Sequence, residues 1–194
     1  AIIDLRIEKG DLKNVTTPSA KNAKYGQTLA EITLPSTSTG VWYFEDDLSM
    51  SVGNVGVNKF TVKLVPNDKN YKDFITEITI NVSKADPKYT APKSISNLEY
   101  NGLTQNLVIP GTVEDDTLVM EYKIRDLTDW SVEIPTVIDA GYYYVYYRIV
   151  GGNNYNNVES YVGVELAKKV YDKRATDRAA VLEKNRKIEE EFNK

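Results

Sequence analysis

Polar and apolar positions alternate through much of the first 167 residues. Val57, Lys59, Thr61 and Lys63 alternate with Phe60, Val62 and Leu64, and Ile75, Ile78 and Ile80 lie in a run rich in β-branched residues. A period of two in such composition predicts strands with one covered face. The stretch GYYYVYYRI carries the same period in tyrosine: Tyr143, Val145, Tyr147 and Ile149 share one face, and Tyr142, Tyr144, Tyr146 and Arg148 share the other. Turn residues punctuate these runs at Pro66-Asn67-Asp68, Asn101-Gly102, Asp115-Asp116 and Gly151-Gly152-Asn153-Asn154. Short strands between turns about ten residues apart predict an all-β sandwich or barrel. Gly56 and Gly141 stand where tight turns would precede the long strands.

After Leu166 the pattern changes. The segment AKKVYDKRATDRAAVLEKNRKIEEEFNK has no Gly or Pro, and Val170, Tyr171, Ala175, Ala179 and Leu182 recur at steps of three and four. It predicts one helix of roughly 25 residues. Lys168 and Lys169 at its start and Glu189, Glu190 and Glu191 at its end oppose the helix macrodipole. Either the helix continues further or a partner compensates. A solvated linker helix and an oligomerising helix both fit this charge pattern.

The chain also matches itself. LRIEKGDLKNVTTPSAKNAKY, residues 5–25, aligns without a gap on INVSKADPKYTAPKSISNLEY, residues 80–100: Lys9 falls on Lys84, Asp11 on Asp86 and Tyr25 on Tyr100. The segment beginning at Gly56 resembles the one beginning at Gly141, with one residue deleted before Asn70-Tyr71 and Asn154-Tyr155, so that Val82 falls on Leu166. A strand-like xVxVxK ending therefore occurs three times, near Ile7, Val82 and Leu166, with two full units between. The predicted organisation is a strand in residues 1–8, belonging to a preceding unit or pairing with a neighbour, then units at 9–86 and 87–168, then a charged helix at 169–194. The Asp86-Pro87 step favours an extended junction.

Units of this size with this strand spacing fit the immunoglobulin scale, and DAGYYYVYY has the form of a tyrosine corner, whose hydroxyl bonds back to the backbone just upstream. The motifs KYGQTLAEITL, GVWYFED and VPNDKNY resemble the YGQTL-type (MBG-like) immunoglobulin-like repeat of large bacterial cell-surface proteins. LEYNGLTQNLVIPGTVEDDTLVMEYKI and WSVEIPTVIDAGYYYVYYRIVGGNNYN resemble the companion repeat that follows it in surface proteins of Gram-positive anaerobes. The resemblance implies two tandem immunoglobulin-like β-sandwich domains acting as extracellular stalk or adhesion modules without catalysis. Neither the opening strand nor the C-terminal helix belongs to those repeats. Related modules also decorate bacteriophage virions.

Composition narrows the chemistry. The chain contains no cysteine and no histidine, which removes the thiol nucleophile, the histidine base, disulfides and the usual zinc sites. The net charge is -4; nine basic and six acidic residues fall from Lys168 onward, leaving fifteen basic and twenty-two acidic before it. A mildly acidic body argues against a nucleic-acid partner. No apolar run reaches the roughly 20 residues that span a bilayer, so membrane insertion is not expected.

Two acidic clusters, Glu45-Asp46-Asp47 and Glu114-Asp115-Asp116, are the candidate calcium ligands, since calcium takes several oxygen ligands from a loop. Neither has the spacing of a regular calcium loop, so solvated turns are the leading reading and calcium the minor one; no cofactor is expected. Tyr142, Tyr144 and Tyr146 with Trp42 and Trp130 are candidates for stacking on sugar rings or contacting a partner, set against the plainer role of covering a sheet. The leading expectation is a stalk, spacer or adhesin module that is extracellular, on a bacterial surface or secreted, and meets another protein or a cell-wall or glycan surface. A virion decoration or fibre protein and a carbohydrate-binding module are the alternatives.

Overall fold

The computed structural model describes residues 6–169 and 173–192. The chain is mostly β, with one C-terminal helix, α1 (Lys173–Phe192). It divides into two compact units. The first comprises the chain through Tyr89 with Val113–Val119 and Ile149–Val158; the second comprises Thr90–Thr112, Met120–Arg148 and the chain from Glu159. Most of the predicted opening strand lies outside the described residues, as do Val170 and Tyr171 of the predicted helical stripe.

The first unit is built on a four-stranded sheet of β1 (Lys21–Lys24), β2 (Gly40–Phe44), β3 (Gly56–Pro66) and β4 (Phe74–Ser83), in the order β1-β4-β3-β2. The long hairpin β3–β4 follows from the alternating runs read in the sequence. Its antiparallel register sets Phe60 opposite Ile78 and Leu64 opposite Phe74. The inward set of Phe60, Val62, Leu64, Ile78, Ile80 and Val82 is buried, and its lysines stay on the other face. Leu29 and Val52 close the core above β3 and β4, and Trp42 closes the other half with Leu12, Val15 and Leu34 around it. Leu29 opens a 3-10 turn that Glu31 holds by accepting from the Thr28 amide at 2.8 Å. Gly56 takes φ +133, a conformation that side chains disfavour. Gly141 has no positive φ; the Tyr143 ring passes 3.4 Å from where its Cβ would stand. Pro87 is buried in the first unit.

Short strands follow: β5 (Tyr89–Thr90), β6 (Lys93–Ser94), β7 (Leu98–Glu99), β8 (Gln105–Asn106), β9 (Val108–Ile109) and β10 (Thr112–Val113). Then come β11 (Met120–Ile124), β12 (Thr136–Val137), β13 (Gly141–Ile149) and β14 (Val158–Ala167). The second four-stranded sheet has the order β11-β13-β14-β7. Met120, Tyr122, Ile124, Val145, Tyr147, Val164 and Leu166 are buried beneath it, with Leu107 and Val108.

The two sheets share one edge arrangement. In the first, β1 runs parallel to β4 with Ala23 opposite Val82; in the second, β7 runs parallel to β14 with Leu98 opposite Leu166. The next amide donates back across the pair in both, Tyr25 to Ser83 at 2.9 Å and Tyr100 to Ala167 at 2.8 Å. A second full sheet opposite each of these is drawn only in part. Its place is taken by two-residue pairings and isolated bridges such as Thr28–Ser51, because the intervening segments are short and rich in Pro, Ser and Asn, which interrupt ladders. Among the described residues no helix is long and apolar enough to cross a membrane.

Candidate functional site

The outer face of the second sheet gathers most of the aromatic residues singled out by sequence. Strand alternation on β13 buries Val145 and Tyr147 and turns Tyr142, Tyr144, Tyr146 and Arg148 outward. Neighbouring strands add Glu121 and Lys123 from β11 and Tyr161 from β14. The tyrosines form a continuous row. Tyr142 and Tyr144 meet edge to face at 5.3 Å, Tyr144 meets Tyr161 likewise at 5.6 Å, and Tyr146 lies tilted on Tyr161 at 5.4 Å. Tyr142 crosses Gly163, whose missing side chain leaves room for the ring.

Trp130 reaches this face because its segment folds back along β11. Tyr122 and Ser131 exchange backbone hydrogen bonds at 2.7 and 2.9 Å, which covers the open edge of that strand. The indole is then engaged by two cations, Arg148 at 4.5 Å and Lys123 at 4.7 Å from the ring centre. Arg148 in turn donates to Glu121 at 2.6 Å, and Arg125 lies 5.9 Å over Tyr144. Trp130 is thus held in the sheet's own cation–π contacts. The rings left open are Tyr142 and Tyr161, 61% and 56% exposed, and part of Tyr144. Glu159 and Glu165 share the outer face of β14 by alternation and are exposed. They balance the cations of β11, so the face has mixed charge.

Trp42 does not join this face. It is 3% exposed, packed among Val62, Leu64 and Ile78 and set edge-on to Phe74 at 6.2 Å. Its expected role in stacking on a ligand is corrected by burial: both faces of its ring are used in the core.

The acidic clusters are turn anchors. One Asp47 oxygen accepts from both the amide and the hydroxyl of Ser49 at 2.8 Å, and these bonds hold its carboxyl below the usual range, the backbone bond most. Asp115 accepts from the Thr117 amide and hydroxyl at 2.9 and 2.6 Å. Glu45 pairs with Lys63, and Glu114 lies 3.9 Å from Lys88. Asp46 and Asp116 complete the two turns. Among the described residues no three Asp or Glu side chains come together as a metal site would require.

Sequence reasoning did not find a polar groove of about 1080 Å³ within the first unit, lined by Lys24, Tyr25, Asp86, Lys88, Asp115 and Tyr155 among others. The Tyr155 hydroxyl donates to Asp115 at 2.7 Å, and its ring meets Tyr25 edge to face at 5.2 Å. The Asp115 carboxylate, more than desolvation, pushes the Tyr155 hydroxyl up to about 12. Asn156 donates to Asp86 at 2.7 Å beside it, and Ala85 bridges to Tyr155. These groups are far apart in sequence; the Asn154-Tyr155 correspondence with Asn70-Tyr71 was the one available signal. The phenol is held protonated, so it serves as a hydrogen-bond donor.

Comparison with known proteins gives little to set beside this geometry. No protein-family model matches the chain, and no curated protein matches it. Among solved structures, an endo-fucoidan hydrolase of glycoside hydrolase family 107 aligns over 84% of this chain with 13% identity and a TM-score of 0.25. The alignment spans 28% of that enzyme.

Proposed function

We propose that this chain is a non-catalytic structural and adhesive segment of a bacterial cell-surface or secreted protein, made of two immunoglobulin-like repeats that space or present a binding surface under load. The observation that carries this reading is the parallel pairing of an early strand with the last strand of each sheet. In the first unit Lys21 lies opposite Ile80 and Lys24 opposite Ser83. The upstream end of β1 and the downstream end of β4 therefore point in opposite directions along the pair. Tension on the chain ends slides the strands past each other, and the slanted, evenly spaced bonds of a parallel ladder share the load. The β7–β14 pair repeats the geometry over two residues.

The test is single-molecule pulling, which reads the unfolding barrier directly. The chain has no cysteine, so introduced cysteine pairs give clean handles. Handles at Lys21 and Ser83 load the β1–β4 pair in shear, whereas handles at Lys24 and Ser83 peel it one bond at a time. The reading expects a clearly higher rupture force in shear; equal forces would remove it.

A second reading rests on the open rings of Tyr142 and Tyr161: aromatic area with polar edges suits a glycan. It expects a weak sugar affinity that falls in Tyr142→Ala and Tyr161→Ala and persists in Trp42→Phe. Binding indifferent to both tyrosines would leave the row as a covering of the sheet.

A further inference from the structure

The loop between β3 and β4 and the loop between β13 and β14 are engaged by the same pair of backbone hydrogen bonds. In the later loop, Ala85 donates to the Asn154 carbonyl at 3.1 Å and Asn156 donates to the Ala85 carbonyl at 2.8 Å. In the earlier one, Gly10 donates to the Asn70 carbonyl at 2.8 Å and Lys72 donates to the Gly10 carbonyl at 2.9 Å. The next acid completes each bridge: Asp86 accepts from Asn156 at 2.7 Å, and Asp11 pairs with Lys72 at 3.1 Å. The two loops therefore present their Asn-Tyr pairs alike, and they differ in what covers them. Asn154 and Tyr155 lie in the first compact unit, against the end of its four-stranded sheet. The Asn154 side chain accepts from the Val55 amide at 3.2 Å and donates to the Asn54 side chain at 3.1 Å, and the Tyr155 ring meets Tyr25 edge to face at 5.2 Å. Asn70 and Tyr71 are exposed, and the Asn70 side chain has no partner among the described residues.

A surface of the kind that receives Asn154 and Tyr155 recurs at the matching end of the second sheet. The two sheets share one strand order, with β7 in the place of β1, β14 of β4 and β13 of β3. Tyr100 follows β7 as Tyr25 follows β1, and Asp139-Ala140 precede Gly141 as Asn54-Val55 precede Gly56. Tyr25 is half-buried beside Tyr155, whereas Tyr100 is 40% exposed. The exposed pair and the exposed surface are chemically matched. The Asn70 carboxamide can accept from the Ala140 amide and donate to the Asp139 carboxylate, and the Tyr71 ring can meet Tyr100 edge to face. We propose that Asn70 and Tyr71 of one copy of this chain dock on Tyr100, Asp139 and Ala140 of a second copy, as Asn154 and Tyr155 dock on Tyr25, Asn54 and Val55. Donor and receiver are different surfaces, so each associated copy keeps one of them free and the contact repeats head to tail. It is small, at the weak end of the range for specific association.

Sedimentation of the full chain over about 1 to 500 µM tests this, because self-association follows mass action. The expected result is an average mass that rises with concentration and passes two chains. Tyr71→Ala and Tyr100→Ala should each weaken association by about tenfold while leaving the β-sheet circular dichroism unchanged. Tyr71→Ala retains only the receiver and Tyr100→Ala only the donor, so an equimolar mixture of the two should pair and stop at two chains. Asn70→Asp sets one carboxylate against another and should weaken association; adding Asp139→Asn to the same chain should restore it. A monomer throughout the range, or association indifferent to Tyr71→Ala, overturns the proposal. A mixture that fails to pair, or that grows past two chains, overturns the head-to-tail contact. The contact follows from the repeated bridge and not from the mechanical role above, so its loss in sedimentation would leave the pulling result untouched.

Discussion

The Tyr142 ring lies across Gly163 so closely that a Cβ on Gly163 would overlap the Tyr142 hydroxyl. Gly40 is crowded too, but there a Cβ would overlap the carbonyl of Val65 on the paired strand. The obstacle at Gly163 is the far end of a half-exposed side chain, and alanine suits a strand interior better than glycine by roughly 0.5–1 kcal/mol. Gly163→Ala should therefore change stability by less than about 1 kcal/mol, with the Tyr142 ring displaced. Gly40→Ala must move backbone and should cost more than about 2 kcal/mol. Urea unfolding of the two variants checks this; equal losses would contradict it.

Trp42 buries its indole nitrogen with no hydrogen-bond partner among the described residues. An unmade bond of this kind costs about 1–3 kcal/mol, which offsets part of the packing the large ring provides. Trp42→Phe should accordingly cost less than about 2 kcal/mol, against about 3–5 kcal/mol for Trp42→Ala. Denaturant midpoints of both variants, compared at unchanged slope, decide it. A larger loss for Trp42→Phe would mean that the indole's volume dominates.

The tyrosine strand illustrates how far the sequence carries. Alternation alone separates Val145 and Tyr147 from Tyr142 and Tyr144, because a strand's period is fixed by its backbone, and the structure buries the first pair. The tyrosine-corner form also locates the bond in which the Tyr143 hydroxyl donates to the Asp139 carbonyl at 2.7 Å, a local contact across one turn. Trp42 is different: in GVWYF every position after the glycine is apolar, so alternation does not choose its face. Trp130 receives its cations from β11 and β13, and Tyr155 its carboxylate from Asp115, through tertiary placement that no local pattern encodes. The opposing layer of each unit was equally illegible, since segments broken by Pro and Asn settle as bridges only after the core has positioned them.

The bond between Tyr155 and Asp115 has a signature at high pH. The folded phenol is raised to about 12 from a reference of 10.0. Between those values the unfolded chain has lost this proton and the folded chain has kept it, so stability falls as pH rises through that window and the contribution is complete below it. The carboxyl of Asp115 is lowered, chiefly by Thr117 and then by Tyr155. Its contribution is present at neutral pH and is lost as pH falls through the folded value, below 3.8. Tyr122 is also raised, chiefly by burial, so ultraviolet titration should show the late-ionising phenols reduced by one in Tyr155→Phe and the Tyr155 phase titrating earlier in Asp115→Asn. An unchanged late phase in Asp115→Asn would assign the delay to another tyrosine.

Arg148 serves two partners at once, donating to Glu121 at 2.6 Å while its guanidinium lies over Trp130. An exposed ion pair contributes up to about 1 kcal/mol, and a cation over an indole adds about 0.5–1 kcal/mol. Arg148 and Glu121 are only about one-third exposed, so screening by salt should be incomplete. Arg148→Ala is expected to cost about 1–2 kcal/mol, and Arg148→Lys should recover less than half of it, because an ammonium lacks the planar face that stacks on the ring. In a Trp42→Phe background Trp130 is the only indole, so its emission reports the contact directly. Emission that shifts in Arg148→Ala and less in Lys123→Ala would assign the ring chiefly to Arg148. The reverse order would make Lys123 the principal cation and reduce Arg148 to its bond with Glu121.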